Sequence, residues 1–295
     1  MTQPPLIYRP DVETAIKENR PVVALESTLI THGFPNPQNL RVALAMEEAV
    51  RENGAIPATI AVLGGQLVVG LTGEQLDYLA QAPDVRKCSV RDLPLVVSQK
   101  RDGATTVAAT MVIAHRAGIR VFATGGIGGV HRGAYFDVSA DLMEMGRTPI
   151  TVVCAGMKAF LDLPAGLEYL ETQAVPVLGY RTAEFPAFFS RKSGLGVDMQ
   201  VNTPAEAAAL IYARDTMQLP NAVLLAVPVP RAGEWPAGQA APVIEQALAE
   251  ADAQNIRGKA ITPYMLARIA ELSKGQSARA NEALLVNNAA VAAQV

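Results

Sequence analysis

The architecture is already indicated by PVVALES at residues 21–27 and QNLRVALAMEEAVRENG at residues 38–54. The first segment is apolar at nearly every position, which is typical of a strand covered on both faces of a sheet. In the second segment, Val42, Met46 and Val50 recur at helical spacing and form one apolar face. A buried strand followed by an amphipathic helix is the repeating unit of α/β proteins.

The same alternation continues along the chain. Further strands are predicted in AIPATIAVL (55–63), in the hairpin-like GGQLVVGLT (64–72), and in IRVFATGG (119–126), ITVVCAG (150–156), AVPVLGY (174–180) and AVLLAVPVP (222–230). Helices are predicted at 102–118, 204–215, 241–255, 262–274 and 277–293. We therefore predict the α/β class, as a three-layer α/β/α architecture with a largely parallel or mixed central sheet. Residues 1–295 are expected to form a single domain, with 228–242 as a long surface loop rather than a linker.

The composition excludes several classes of protein. Of 295 residues, 50% are hydrophobic and 18% charged, which supports a large core and excludes intrinsic disorder. The net charge of −3 gives no electrostatic footprint for nucleic acid or an anionic membrane. Cys88 and Cys154 are too far apart in sequence for a CxxC motif, so neither a disulfide framework nor a structural zinc site is indicated. Without a signal-peptide core or a membrane-length apolar run, we expect a soluble, cytoplasmic protein.

Ionisable side chains follow several of the predicted strands. In open α/β sheets, ligands bind at the carboxyl ends of the strands. Glu26 closes the first strand, Lys158 follows ITVVCAGM, and Asp137 and Asp141 follow the glycine-rich turn after VFATGG. These four residues form a candidate site.

Lys158 is predicted to lie in the first turn of a helix. The positive end of the helix dipole and apolar sequence neighbours such as Met157 and Phe160 disfavour the ammonium form, as a nucleophilic amine requires. The alternative is an ordinary surface lysine at a helix start. Glu26, on a buried strand, is either a protonated general acid or a paired structural carboxylate.

FDVSAD places Asp137 and Asp141 four residues apart, with Ser139 between them. Carboxylate and hydroxyl oxygens suit a hard cation such as Mg²⁺ or Mn²⁺. The alternative is an acid-rich helix start that is capped by Ser139 or Asp137.

Two glycine-containing segments can present free backbone amides to an anion. GGIGGVHRG (125–133) carries His131 and Arg132 beside such amides, and a plain tight turn is the alternative. GATTV (103–107) combines a helix start with two hydroxyls, and an ordinary cap is the alternative. Asn281, near the start of a predicted helix, is either a cap or a residue that reaches into the site.

Seven collinear segments together resemble the pseudouridine-5′-phosphate glycosidase family, also called indigoidine synthase A-like. The resemblance runs from about residue 6 to about residue 290, through ALESTLITHGFPNPQN (24–39), KCSVRDLP (87–94), GATTVAATM (103–111), ATGGIGGVHRGA (123–134), FDVSADL (136–142), VVCAGMKAFLDL (152–163) and ANEALLVNNA (280–289). Cys88 and Val90 depart from the family's pattern, which concerns the side chains near the phosphate and not Lys87 itself.

The resemblance implies reversible cleavage of pseudouridine 5′-phosphate to uracil and ribose 5-phosphate with a divalent metal, typically Mn²⁺. It implies Glu26 as proton donor, Lys158 as nucleophile, Asn281 as a further catalytic residue and Asp137 as metal ligand. It also implies substrate binding by Lys87, Val107, Ser139, Ala140 and Asp141, with His131 beside the phosphate, and a homo-oligomer, expected to be a trimer.

The chemistry of the bond agrees with an amine nucleophile. Heterolysis of a C–C glycosidic bond leaves a carbanion on the base, so capture of the opened sugar as a lysine imine provides an electron sink. A class I aldolase-type lyase acting on a sugar phosphate is the alternative enzyme. A non-catalytic nucleotide-binding subunit is disfavoured because a binder has no use for a nucleophilic amine, and a ribokinase-like kinase because no GAGD-type motif lies near the C-terminus.

Overall fold

The computed structural model of the protein describes residues 5–133 and 136–295. The N-terminal MTQP and Ala134, the last residue of the segment 123–134, lie outside these ranges. The strands are β1 Leu6–Tyr8, β2 Val22–Glu26, β3 Ile56–Leu63, β4 Gln66–Val69, β5 Arg86–Cys88, β6 Gly103–Thr105, β7 Val121–Ala123, β8 Thr151–Cys154, β9 Val177–Tyr180, β10 Met199–Val201 and β11 Val223–Ala226. The helices are α1 Pro10–Lys17, α2 Thr28–His32, α3 Gln38–Glu52, α4 Gly73–Gln81, α5 Leu93–Ser98, α6 Val107–Arg116, α7 Ala140–Met145, α8 Leu163–Thr172, α9 Pro204–Thr216, α10 Ala237–Ala253, α11 Ile261–Leu272 and α12 Gln276–Gln294. No helix in the two described ranges has both the length and the apolarity that crossing a bilayer requires.

All of these strands belong to one mixed sheet. Its main path runs β1–β4–β3–β2–β7–β8–β11–β9–β10, and β6 joins β3 to β5 beside that path. Pairing is parallel along most of the sheet and antiparallel where β3 meets β4 and β6. Helices surround the sheet, so the predicted α/β class with a largely parallel or mixed central sheet is confirmed.

The centre of the sheet is buried on both faces. Every residue of β8 and β11 is buried, and Phe122 of β7 has no exposed surface. Helix α12 packs on α3 and against β7 and β8, while α6 packs against β2 and β3. The continuous apolar runs of the sequence therefore mark the central strands, as expected for a doubly covered sheet.

The first predicted elements lie where the sequence placed them. The amphipathic segment 38–54 forms α3, and the predicted hairpin consists of β3 and β4. Gly64 and Gly65 make the turn with φ angles of 54° and 80°, a left-handed conformation that glycine adopts without a steric penalty.

The segment 102–118 is not one helix, and this prediction is wrong. Residues 103–105 form β6, which pairs with β3 and β5, and α6 begins only at Val107. Asp102 does not cap the helix, because its carboxylate accepts hydrogen bonds from the Gly64 amide and the Tyr78 hydroxyl, at 2.7 and 2.6 Å. Pairing on both sides of β6 outweighs the helical propensity of the segment.

Other boundaries also differ from the prediction. Only Val177–Tyr180 of the segment 174–180 is a strand, and α10 begins at Ala237, inside the predicted surface loop 228–242. The sequence analysis did not predict the short edge strands β1 and β10, which carry too few residues for a periodic signal.

Candidate active site

The largest group of predicted site residues lies at the carboxyl ends of three neighbouring strands, β2, β7 and β8. A cavity of about 580 Å³ opens at this edge. It is lined by all ten residues named from the sequence: Glu26, Lys87, Val107, His131, Asp137, Ser139, Ala140, Asp141, Lys158 and Asn281. The carboxyl-end rule for open α/β sheets therefore located the cavity correctly.

Glu26 ends β2 and reaches the cavity from a half-buried position. The hydroxyl of Thr124, which follows β7, donates a hydrogen bond to the Glu26 carboxylate. Burial raises the pKa of Glu26 above its usual value, although the nearby Lys158 and the Thr124 hydroxyl act in the opposite direction. A carboxyl group with a raised pKa keeps its proton to higher pH and can act as a general acid.

Lys158 lies in the connection between β8 and α8, not in a helix, so this part of the sequence prediction is wrong. Helix α8 begins at Leu163, where the Asp162 carboxylate accepts the Ala165 amide at 3.0 Å. Lys158 therefore does not lie in the first turn of α8. Instead, the Lys158 Nζ donates a hydrogen bond to the Gly126 carbonyl at 2.7 Å.

Lys87 and His131 add two further basic groups to the cavity. Burial lowers the pKa of Lys87, and the charge of Lys158 lowers it further. Burial also lowers the pKa of His131, against the opposing effect of Asp137. The His131 amide donates to the Asp137 carbonyl at 2.9 Å, which joins the backbones of these two residues.

Asp141 connects the start of α6 with the glycine-rich segment 125–133. One of its carboxylate oxygens accepts the Ala108 amide at 3.0 Å, and the other accepts the Gly128 amide at 2.8 Å. The Ala108 and Gly128 amides are therefore already engaged by a carboxylate. Anion binding by the amides of 125–133 and 103–107 stays a prediction. The capping alternative is confirmed for Ser139, whose hydroxyl accepts the Asp141 amide at 3.2 Å at the start of α7.

The cavity offers little for a metal ion that is enclosed by protein ligands. Within residues 5–133 and 136–295, no three His, Cys, Asp or Glu side chains are grouped so that they could hold one. Because the Asp141 oxygens accept two amides, Asp137 is the carboxylate of the FDVSAD segment that remains available. The donor set fits a hydrated cation held by one carboxylate.

Helix α12 carries one asparagine that lines the cavity, which was predicted from the sequence, and a second that lies behind it and was not predicted. Asn281 is the sixth residue of α12, so it is not a cap, and its amide lies at the cavity beside Gly125. Asn288, seven residues further on, is fully buried and donates hydrogen bonds to the carbonyls of Thr124 and Gly125, at 2.9 and 3.3 Å. The signal for Asn288 was a polar residue on the same face as the buried Leu284 and Leu285.

Three aromatic residues that were not assigned to the site from the sequence also line the cavity: His32, Phe34 and Phe188. His32 lies at the end of α2. Phe188 has a φ of 60°, unusual for a bulky residue, and its ring packs so closely on Gly126 that a Cβ there would lie 2.6 Å from it. Phe188 therefore fixes the carbonyl that binds Lys158.

The chain is similar to proteins of known family. The family model described as indigoidine synthase A like protein matches residues 11–295. A pseudouridine-5′-phosphate glycosidase of Methylobacterium nodulans is 54% identical over 297 residues, which cover 100% of this chain and 88% of the relative. One of Caldanaerobacter subterraneus is 52% identical over 287 residues, 97% of this chain and 94% of the relative. The solved structure of the prealnumycin C-glycosynthase AlnA in complex with ribulose 5-phosphate is 40% identical and superposes with a TM-score of 0.91, over 100% of this chain and 96% of that chain.

Proposed function

The chain belongs to the indigoidine synthase A-like family, and on that premise we propose that it reversibly cleaves the C–C glycosidic bond of pseudouridine 5′-phosphate to uracil and ribose 5-phosphate. The observation that carries this proposal is the meeting of a carboxyl group with a raised pKa and a lysine amine in one cavity. The complex of the C-glycosynthase with a pentose phosphate supports the substrate class.

Lys158 would supply the nucleophile. Its amine forms a bond to C1′ of the sugar while the bond from C1′ to the ring oxygen breaks and the oxygen takes a proton. The nitrogen lone pair then forms an iminium with C1′, the bond to C5 of uracil breaks, and C5 takes a proton. One water molecule hydrolyses the iminium, which releases ribose 5-phosphate and restores the amine. The lysine thus converts a difficult heterolysis into two easier steps.

Glu26 would manage the protons of this sequence. Its raised pKa keeps the acid form present to higher pH than in an ordinary carboxyl group, and this form would deliver a proton to the ring oxygen or to the base. The charge of Lys158 lowers the pKa of Glu26, so the two groups interact electrostatically within the cavity.

Lys87 would bind the phosphate, with His131 beside it. The half-buried Lys87 ammonium is disfavoured by burial and by Lys158, and a bound phosphate dianion would compensate both effects. Val107, Ser139, Ala140 and Asp141 would complete the substrate contacts, and Asn281 would orient the reacting groups from α12.

A divalent cation, in this proposal Mn²⁺, would be held by Asp137 with water in its remaining coordination positions. The cation would supply positive charge that orients water and substrate oxygens. We further propose a homotrimer located in the cytoplasm, and light scattering on the purified protein tests the assembly.

The test uses the loss of pseudouridine 5′-phosphate, followed by ultraviolet absorbance with Mn²⁺ present. We expect Lys158→Ala and Glu26→Gln to lose most activity while staying folded. Lys192→Ala should retain it, because the Lys192 side chain is 80% exposed and does not line the cavity. Borohydride reduction with ribose 5-phosphate should attach the sugar to Lys158, as peptide mass spectrometry would show. Full turnover by the Lys158→Ala variant would refute the covalent mechanism. Cleavage of simple sugar phosphates without the nucleotide would favour the aldolase alternative.

A further inference from the structure

Asn288 is an unusual residue in the core of this protein. It has no exposed surface, and it lies on the face of α12 that packs against the sheet, between apolar residues such as Leu285 and Ala289. Its amide nitrogen donates to the Thr124 carbonyl at 2.9 Å and to the Gly125 carbonyl at 3.3 Å. Burying an amide in this way costs free energy, part of which these hydrogen bonds offset. Its Oδ1 has no partner among the described residues, so the side chain is not optimised for stability alone.

The two carbonyls belong to the segment that holds both reactive groups. The Thr124 hydroxyl donates to the Glu26 carboxylate, and the next carbonyl along, that of Gly126, accepts the Lys158 amine at 2.7 Å. These three consecutive residues follow β7, where the regular strand pairing ends. Backbone hydrogen bonds fix the segment in part, since the Thr124 amide donates to Val153 and the Gly125 carbonyl also accepts the Ala155 amide.

The Thr124 carbonyl is the group that Asn288 holds most directly. The orientation of this peptide unit decides where the Thr124 side chain and the Gly125–Gly126 peptide point. A rotation of this peptide unit would move together the Thr124 hydroxyl, which binds Glu26, and the Gly126 carbonyl, which binds Lys158, because the same short segment carries both groups.

We propose that Asn288 is a positioning residue for the reaction, which fixes the Thr124–Gly126 segment so that Glu26 and Lys158 are held in reactive geometry at the same time. This inference rests on the proposed function and deepens it. Asn288 touches neither substrate nor the reacting atoms; it acts through the backbone that its amide binds. A misplacement of about 1 Å at a catalytic group can lower a rate by about a hundredfold.

The matched control is the neighbouring Asn287, which faces a surface groove on the other side of α12. We expect Asn288→Ala to lower kcat by about ten- to a hundredfold, with KM changed by less than about threefold, because the substrate contacts remain. Trapping of ribose 5-phosphate on Lys158 by borohydride should slow in parallel, and the pH at which activity declines should shift. Asn287→Ala should leave all of these values unchanged.

A second variant, Asn288→Asp, keeps the shape of the side chain and separates positioning from packing. As a carboxylate it cannot donate to the two carbonyls, but as a protonated acid it can donate one hydrogen bond. Its activity relative to the unsubstituted protein should therefore rise as the pH falls, whereas that of Asn288→Ala should not. If Asn288→Ala does not fold, the pH dependence of Asn288→Asp activity, relative to the unsubstituted protein, tests the positioning role by itself.

Two results would overturn the inference in different ways. Normal kcat and an unchanged pH profile in a folded Asn288 variant, with only a lower melting temperature, would show a purely structural role and leave the proposed function intact. Absence of turnover and of trapping in the unsubstituted protein would refute the proposed function and the inference together.

Discussion

Replacing Gly128 by alanine tests whether the substrate-facing segment must lie where the structure places it. A Cβ on Gly128 would lie 2.2 Å from the Ser139 Oγ, 2.6 Å from the Ser139 Cβ and 2.9 Å from the Asp141 Oδ2. Ordinary contact begins at 3.4 Å, so the Ser139 hydroxyl has to move by 3.4 − 2.2 = 1.2 Å or more. The Gly128 amide donates to the same Asp141 carboxylate at 2.8 Å, so the two segments cannot separate without breaking that bond.

The size of the effect follows from this displacement. Overpacking of this kind costs about 1–3 kcal/mol of folding free energy, which leaves the protein folded. A shift of about 1 Å in groups that contact substrate lowers the rate by about a hundredfold. We therefore expect kcat/KM for pseudouridine 5′-phosphate to fall by about a hundredfold while the melting temperature falls by a few degrees.

The matched control is Gly73→Ala, at the first turn of α4. A Cβ there would meet no atom within 4 Å, so this substitution should leave activity unchanged and stabilise the helix by about 0.5–1 kcal/mol. Activity is measured by ultraviolet absorbance and folding by circular dichroism. Unchanged kcat/KM in a folded Gly128→Ala protein would show that Ser139 and Asp141 do not contact the substrate from these positions.

Two further predictions concern the ionisable groups. Thr124→Val removes the hydroxyl that donates a hydrogen bond to the Glu26 carboxylate. Because that hydrogen bond favours the charged form, its loss should raise the pKa of Glu26 further and move the alkaline decline of kcat/KM to higher pH. A decline at lower pH would contradict the assignment of Glu26 as general acid. Lys259→Met removes an ammonium that donates to the buried Asp92 carboxylate at 2.6 and 2.8 Å, and we expect a loss of about 1–3 kcal/mol at neutral pH by urea unfolding. Burial alone would raise the pKa of Asp92, but the hydrogen bonds from Lys259, the Ser89 amide and Arg86 lower it in the folded protein. The stability that the Asp92 carboxylate contributes is therefore present above the pKa of Asp92 in the unfolded chain, and it is lost as the pH falls through the lower pKa of Asp92 in the folded protein. The stability difference between the two proteins should therefore vanish in acid, and a constant difference at all pH values would refute the ion-pair explanation.

The sheet and the position of the site could be predicted because both depend on local signals. Apolar runs without alternation identified the central strands. Glu26 ends one of these strands, and Lys158 lies four residues beyond the end of another. Because β2, β7 and β8 are neighbours in parallel orientation, residues far apart in sequence meet at one edge. The rule needs only the strands and the residues that follow them.

The local environment of each group could not be predicted in the same way. The sequence around Lys158 has no feature that distinguishes a helix start from a loop, and the capping Asp162 shows only afterwards where α8 begins. The strand β6 exists because β3 and β5 pair with it, and that pairing spans more than forty residues of chain on one side, from Val62 to Gly103. Asn288 meets β7 across a still greater separation of 164 residues. Such contacts depend on the tertiary arrangement and leave only a faint trace in sequence.

The glycine-rich segment after β7 contributes to the cavity through hydrogen bonds of its backbone. Its backbone groups bind several of the residues that line the cavity. The Gly126 carbonyl accepts the Lys158 amine, the Gly128 amide donates to Asp141, and the Gly129 carbonyl accepts the Ser139 amide at 3.0 Å. The backbone of this segment, rather than its side chains, therefore holds the groups that surround the cavity. Side chains have to be absent there because the neighbours approach to contact distance, so glycine is required by close packing and by the hydrogen bonds that this packing permits.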